Sequence, residues 1–104
     1  MPQPTYTESV VSISHTATDD NKFKLVTADL WLEDVNIHCY DNNANYGSRS
    51  NQNGDLTAGD ILTFRYINLN DIFFINNTAG NNTTISAIGV VMPPERIRAY
   101  GIPI

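Results

Sequence analysis

Apolar and polar residues alternate along most of this chain with a period of two. Val11, Ile13 and His15 are interleaved with Ser12, Ser14 and Thr16, the pattern of a strand with one side on a core. Asp19-Asp20-Asn21 reads as a turn. Val26, Ala28, Leu30 and Leu32 then occupy every second position, and Val35, Ile37 and Cys39 continue the theme. These predict one long strand and a second after it. A helix over Thr27–Leu32 is the alternative, because Thr27 resembles a cap and good helix formers follow it. Residues 41–60 are polar and Asn-rich; a short strand at 45–47 and a turn at Asn53-Gly54-Asp55 are expected there. Leu62, Phe64 and Tyr66 face one way across the next strand, with Thr63 and Arg65 facing the other. A short apolar run, 71–75, and a polar turn around Ala79-Gly80 lead to a last strand, 83–92. Ile85, Ala87, Gly89 and Val91 share one face of it, and Pro93-Pro94 ends it.

About seven strands, turns every 8–12 residues and no convincing helix predict an all-β fold. The expected form is a small antiparallel β-sandwich or a jelly-roll-like barrel. The domain spans 10–92. A proline-punctuated N-terminal arm (1–9) and a C-terminal arm (93–104) flank it, both expected to be extended.

Composition narrows the function classes. The 104 residues carry 11 acidic and 6 basic groups, net −5. A nucleic-acid partner is therefore not expected. Ten acidic and four basic groups precede residue 93, whereas one acidic and two basic groups follow, so an acidic body carries a slightly basic tail. Only 16% of residues are charged, and Asn and Thr supply most of the remaining polarity. Such neutral polar surface is easier to bury against a neighbour than charged surface. A single cysteine, Cys39, excludes an intrachain disulfide and a multi-thiolate zinc site. No apolar run reaches transmembrane length, and Met1–Thr5 lacks the basic and apolar regions of a signal peptide. No membrane partner is expected.

Catalytic motifs are absent from the sequence: there is no G-x-S-x-G, Walker A, G-x-G-x-x-G or H-E-x-x-H. His38 and Cys39 are neighbours on a strand and so point to opposite faces, which argues against a dyad. Cys39 reads as a core residue. His15 reads as a partly buried, hydrogen-bonded residue. Asp55, Asp60 and Asp71 sit in turn contexts, where a carboxylate bonds nearby backbone N–H groups. Asp41, Asn43 and Asn45 copy the first three ligand positions of an EF-hand loop, but Gly47 arrives one residue late and Gln52 stands where Glu is needed. They are weak calcium candidates. Asn51, Asn53 and Asp55 make a second partial match. Trp31, Tyr40, Tyr46 and Tyr66 are candidates for a sugar-stacking platform. No catalytic residue, cofactor or firm metal site is expected.

Asn45-Tyr46-Gly47-Ser48, Leu56-Thr57-Ala58-Gly59-Asp60 before an apolar strand, Asn68-Leu69-Asn70-Asp71-Ile72-Phe73 and Ala79-Gly80-Asn81-Asn82-Thr83-Thr84-Ile85 form a series. This series, over residues 43–91, resembles the small β-sandwich structural proteins of tailed-phage virions. The resemblance implies a non-enzymatic capsid decoration or cement subunit, located in the virion, that binds a capsid or other virion protein. The residues add that small β-sandwiches must block, cover or use their edge strands. This chain has only Lys22 and Lys24 as guarding lysines, so a homo-oligomer is expected. Arg96, Arg98, Tyr100, Ile102 and Ile104 are the expected partner-binding residues, with the two isoleucines as apolar anchors. A carbohydrate- or calcium-binding β-module and a filament or pilus subunit are the alternatives.

Overall fold

The computed structural model describes residues 10–77 and 81–99, with the side chain of Pro94 left aside. Its elements run β1 (Val10–Ala17), β2 (Trp31–Tyr40), β3 (Ala44–Gly47), β4 (Gly54–Leu56), β5 (Ile61–Asn68), a 3-10 turn (Leu69–Asp71), β6 (Phe73–Asn76), β7 (Thr83–Val91) and α1 (Pro94–Ala99). The strands form two antiparallel sheets, β1-β7-β2-β5 and β4-β3-β6. The expected small all-β sandwich is the fold observed.

The chain changes sheet at tight, side-chain-closed connectors. After β2, Asp41 takes a left-handed φ of 72° and Asn42 N–H donates back to the Tyr40 carbonyl. After β4, Gly59 adopts φ 94°, where a side chain is strained. The Asp60 carboxylate there accepts from Thr57 N–H at 3.1 Å, the turn role expected of it. Asn68 caps the 3-10 turn by accepting from Asn70 N–H. In this way the two sheets place their apolar faces on one shared core. Leu32, Val35, Ile37, Cys39, Ile85, Ala87 and Val91 come from the larger sheet, and Ala44, Leu56 and Phe74 from the smaller.

The expected face of β7 is the buried one: Ile85, Ala87, Gly89 and Val91 all point inward. Other expectations are corrected. The alternation over 26–32 yields neither the long strand nor the helix. β2 begins only at Trp31, because Leu30 spends its backbone groups outside a ladder: its N–H donates to Asn68 Oδ1 and its carbonyl accepts from Leu69 N–H, while the Asp29 carboxylate holds the Asn68 and Asn70 amides in place. Upstream, Phe23 forms a one-residue bridge, exchanging both backbone hydrogen bonds with Phe74 at 2.9 Å. Asn53-Gly54-Asp55 is not the turn. Gly54 begins β4 and lies against the Tyr46 ring, while the turn falls at 48–53.

The C-terminal arm opens as a helix rather than extended chain. Proline is favoured in the first helical turn, and the N–H groups of Arg96 and Ile97 both reach the Pro93 carbonyl. Ile97 is buried, and its burial holds this single turn and a half in place. Among the described residues no helix is long and apolar enough to cross a membrane.

Strand β5 also departs from strict alternation. At Glu33 two residues of β2 span one step of β7, a β-bulge. Tyr66, at the same level on β5, has φ 54°. Tyr66 was expected to share the inner face of Leu62 and Phe64; instead it is exposed, with the Arg65 guanidinium 5.1 Å from its ring centre.

Candidate functional site

One face of the four-stranded sheet covers the core; the other is bare among the described residues. Strand register lays the bare face out as rows. Val10, Val90, Asp34 and Arg65 form the first, and Ser12, Ile88, Asn36 and Thr63 the second. Ser14, Ser86, His38 and Ile61 form the third, and Thr16, Thr84 and Tyr40 the last. The large apolar residues exposed among those described are Val10, Tyr40, Ile61, Tyr66, Ile88 and Val90. Five of them stand in these rows, and Tyr66 lies beside Arg65 at the margin. Ile61 is 59% exposed and Ile88 48%. Scattered apolar residues on a surface need no explanation; here they collect on one sheet face.

The polar residues on this face largely satisfy one another. Arg65 Nε donates to Asp34 Oδ1 at 3.1 Å, and Thr63 Oγ1 to Asn36 Oδ1 at 2.8 Å. Thr16 and Thr84 hydroxyls lie 2.9 Å apart, and Thr84 donates to Asp41 Oδ2. His38 stacks on Tyr40, ring centres 5.7 Å apart. Groups already paired in this way cost less to bury than orphaned ones. The rows contain one acidic and one basic group, on a chain that is net −5.

The other candidate residues are placed as follows. His38 and Cys39 do face opposite sides: His38 is half-buried on the bare face and Cys39 fully buried in the core. Burial pushes the Cys39 thiol up from its ordinary value, against hydrogen bonds from Thr83 and Ala44 that lower it. Its Sγ donates to the Asn42 carbonyl at 3.1 Å, so it is a packed, bonded core thiol. His15 does not match its expected burial. It is exposed and rests on the Phe23 ring at 4.7 Å, because edge strand β1 has no further strand beside it among the described residues.

The calcium candidates do not converge. Asp41 accepts from Thr84, Asn43 Oδ1 from Ala58 N–H at 2.9 Å, and Asn45 Oδ1 from the Asn77 amide at 2.6 Å. Three oxygens committed to three separate partners make no ligand set. Among the expected partner-binding residues, Arg96 is held within the chain, its Nη1 3.2 Å from Glu33 Oε1. Arg98 is exposed on α1. Tyr100, Ile102 and Ile104, like the N-terminal arm, lie outside the described residues.

The sheet face was missed by reading alternation alone. Its signal was there in the places where alternation fails: Val10-Val11, Ile61-Leu62 and Val90-Val91 are consecutive apolar pairs in otherwise alternating strands, so one member of each must face outward. The chain matches no protein-family model, no curated protein and no solved structure.

Proposed function

We propose that this protein is a non-enzymatic assembly subunit that self-associates through the bare face of its four-stranded sheet. In this reading the assembly is a virus particle, and the subunit is of the capsid decoration or cement kind. The single observation that carries self-association is the collection of exposed apolar residues on that one face. The virion context rests on the sequence resemblance and on the charge-poor, Asn- and Thr-rich composition.

Area and charge favour a second copy as the occupant. Four strands span about 19 Å, and an eight-residue strand such as β1 runs about 26 Å. Two stacked faces therefore cover about 1,000 Å² in total, the size at which specific interfaces begin. Elsewhere the acidic surface of one copy repels another. Here the rows are neutral overall, and aligned sheets stack at about 10 Å with interdigitating side chains. Burial, not chemistry, then supplies the stabilisation, and repeated copies multiply it. Sedimentation velocity on the full chain is expected to show a dimer or larger oligomer that dissociates on dilution. A single monomeric species up to about 1 mM, the weak end of the affinity range, contradicts the proposal. Virion membership is tested separately, by mass spectrometry of purified particles from the producing host.

A further inference from the structure

We infer that a cleft beside the smaller sheet binds a monoanion carried on an apolar group, namely a carboxylate joined to a short aliphatic or aromatic stem. Two adjoining cavities build it. One, of about 410 Å³, is lined by Lys24, Ser48, Arg49, Asn70, Asp71 and Phe73. The other, of about 240 Å³, is lined by the apolar side chains of Tyr46, Phe64, Ile67 and Ile72, and shares Ser48 and Asp71 with the first. Together they have the volume of a small-molecule site, with charge at one end and apolar walls at the other.

The charged end is assembled from distant parts of the chain. Phe23 points inward to stack on Phe74, at 5.7 Å. Its neighbours Lys22 and Lys24 are thereby turned to the opposite face of the segment. Phe73 is turned outward by the same alternation, and both ammonium groups lie over its ring, at 5.8 and 5.3 Å from the centre. Ring attraction offsets the repulsion between the two cations. Each ammonium spends one donor on a neutral oxygen: Lys22 Nζ on the Arg49 carbonyl at 2.7 Å, Lys24 Nζ on Asn70 Oδ1 at 2.9 Å. Two donors on each remain. The Lys22 bond also pins the 48–52 loop, which the Gln52 amide closes by donating to the carbonyls of Ser48 and Arg49. That loop sits directly on Gly47, where a Cβ would strike the Asn51 carbonyl. The Arg49 guanidinium has no partner among the described residues.

Three of the chain's six basic groups meet here, on a chain of net −5. Two carboxylates stand nearby: Asp71 in the wall, and Asp29, which shares Asn70 with Lys24. Asp29 is held below the ordinary carboxylate range, first by its bonds from Asn68 and Asn70 and then by Lys24. Three cations against two anions leave one positive charge, matched to a monoanion and poorly matched to a polyphosphate. The adjoining apolar cavity takes the stem.

The inference does not rest on the assembly reading. It is tested by amide chemical shifts of the ¹⁵N-labelled full chain titrated with 4-phenylbutyrate. Saturable shifts are expected at Ser48, Arg49, Ile72 and Phe73, with a dissociation constant of about 1 mM or lower. The uncharged analogue 4-phenyl-1-butanol and inorganic phosphate are each expected to bind at least about ten-fold more weakly. The double variant Lys24→Gln, Arg49→Gln is expected to lose at least about ten-fold in affinity. Its urea midpoint should fall only slightly, because the fold loses one Lys24 hydrogen bond and one ring contact and no core packing. A capped phenylalanyl-glutamate dipeptide distinguishes the sources: tighter binding than 4-phenylbutyrate assigns the site to a protein segment, and weaker binding to a free organic acid. Equal affinity for the alcohol, a preference for phosphate, undiminished binding by the double variant or the lack of any saturable shift overturns the inference.

Discussion

Replacing Ile88 with lysine is expected to raise the self-dissociation constant by about 100-fold while leaving the monomer folded. Ile88 stands near the middle of the bare face, opposite Ser12 on β1 and Asn36 on β2. In the monomer its side chain is already 48% exposed. A lysine there reaches water, and the cost is the difference in strand preference, on the order of 0.5 kcal/mol. In the stacked pair the same lysine buries an ammonium with no carboxylate within its row. The symmetry of a dimer places the second copy's lysine on the same interface. Truncated or mismatched central contacts cost about 2–4 kcal/mol, and each 1.4 kcal/mol is a factor of about ten. Thr57→Lys, on an exposed connector away from the rows, is the matched control. Sedimentation equilibrium of both variants reads the effect. Equal weakening by the two substitutions would assign the loss to net charge rather than to this face.

Phe74→Ala is expected to destabilise the fold by about 3–5 kcal/mol. Phe74 is the largest of the fully buried side chains. It joins three parts of the structure: the smaller sheet through β3, the shared core, and the 18–30 segment through the Phe23 bridge and ring stack. Removing the ring leaves a cavity and deprives Phe23 of its partner. For a chain of this length the thermal midpoint should fall by roughly 12 °C or more. Its neighbour Phe73 supplies the contrast. That ring faces outward under two lysines, so Phe73→Ala should cost about 1 kcal/mol or less. Calorimetry of the two variants separates adjacent residues that composition alone treats as equivalent. Similar losses from both would mean that the inward and outward faces of β6 are misassigned.

The residues differ in how openly they announced their places. In β7 the inward positions Ile85, Ala87, Gly89 and Val91 keep a period of two despite the apolar Ile88 and Val90 between them, and both the strand state and the buried face follow from that spacing. The opposite orientations of His38 and Cys39 follow from the same rule. Residues 26–30 continue an equally regular alternation but form no ladder, because Asn68, 38 residues from Leu30, accepts from Leu30 N–H and donates to the Asp29 carboxylate. Pattern reading sees apolar spacing and is blind to a distant side-chain amide. Tyr66 shows a different limit. Its left-handed φ answers a bulge at Glu33 on another strand, and nothing local to Arg65-Tyr66-Ile67 signals it.

The sites divide in the same way. The bare sheet face was legible in principle, since paired apolar residues within alternating strands force one outward. The cationic cleft was not. Lys24, Arg49 and Phe73 are separated by about equal stretches of chain, and the Phe23–Phe74 bridge brings the first against the last. The local clue is small: the Lys-Phe-Lys alternation of 22–24 matches the Phe73-Phe74 alternation in period.

On the proposed function the bare sheet face, rather than the rest of the surface, meets the second copy. Residue-resolved amide shifts recorded as the full chain is diluted read this contact. Concentration-dependent shifts are expected in the strands that carry the exposed apolar residues, strongest at Ile88, Val90 and Ile61, with Asp55 and Ile75 on the outside of the smaller sheet unchanged. Shifts centred on β3, β4 and β6 with β7 silent would contradict it.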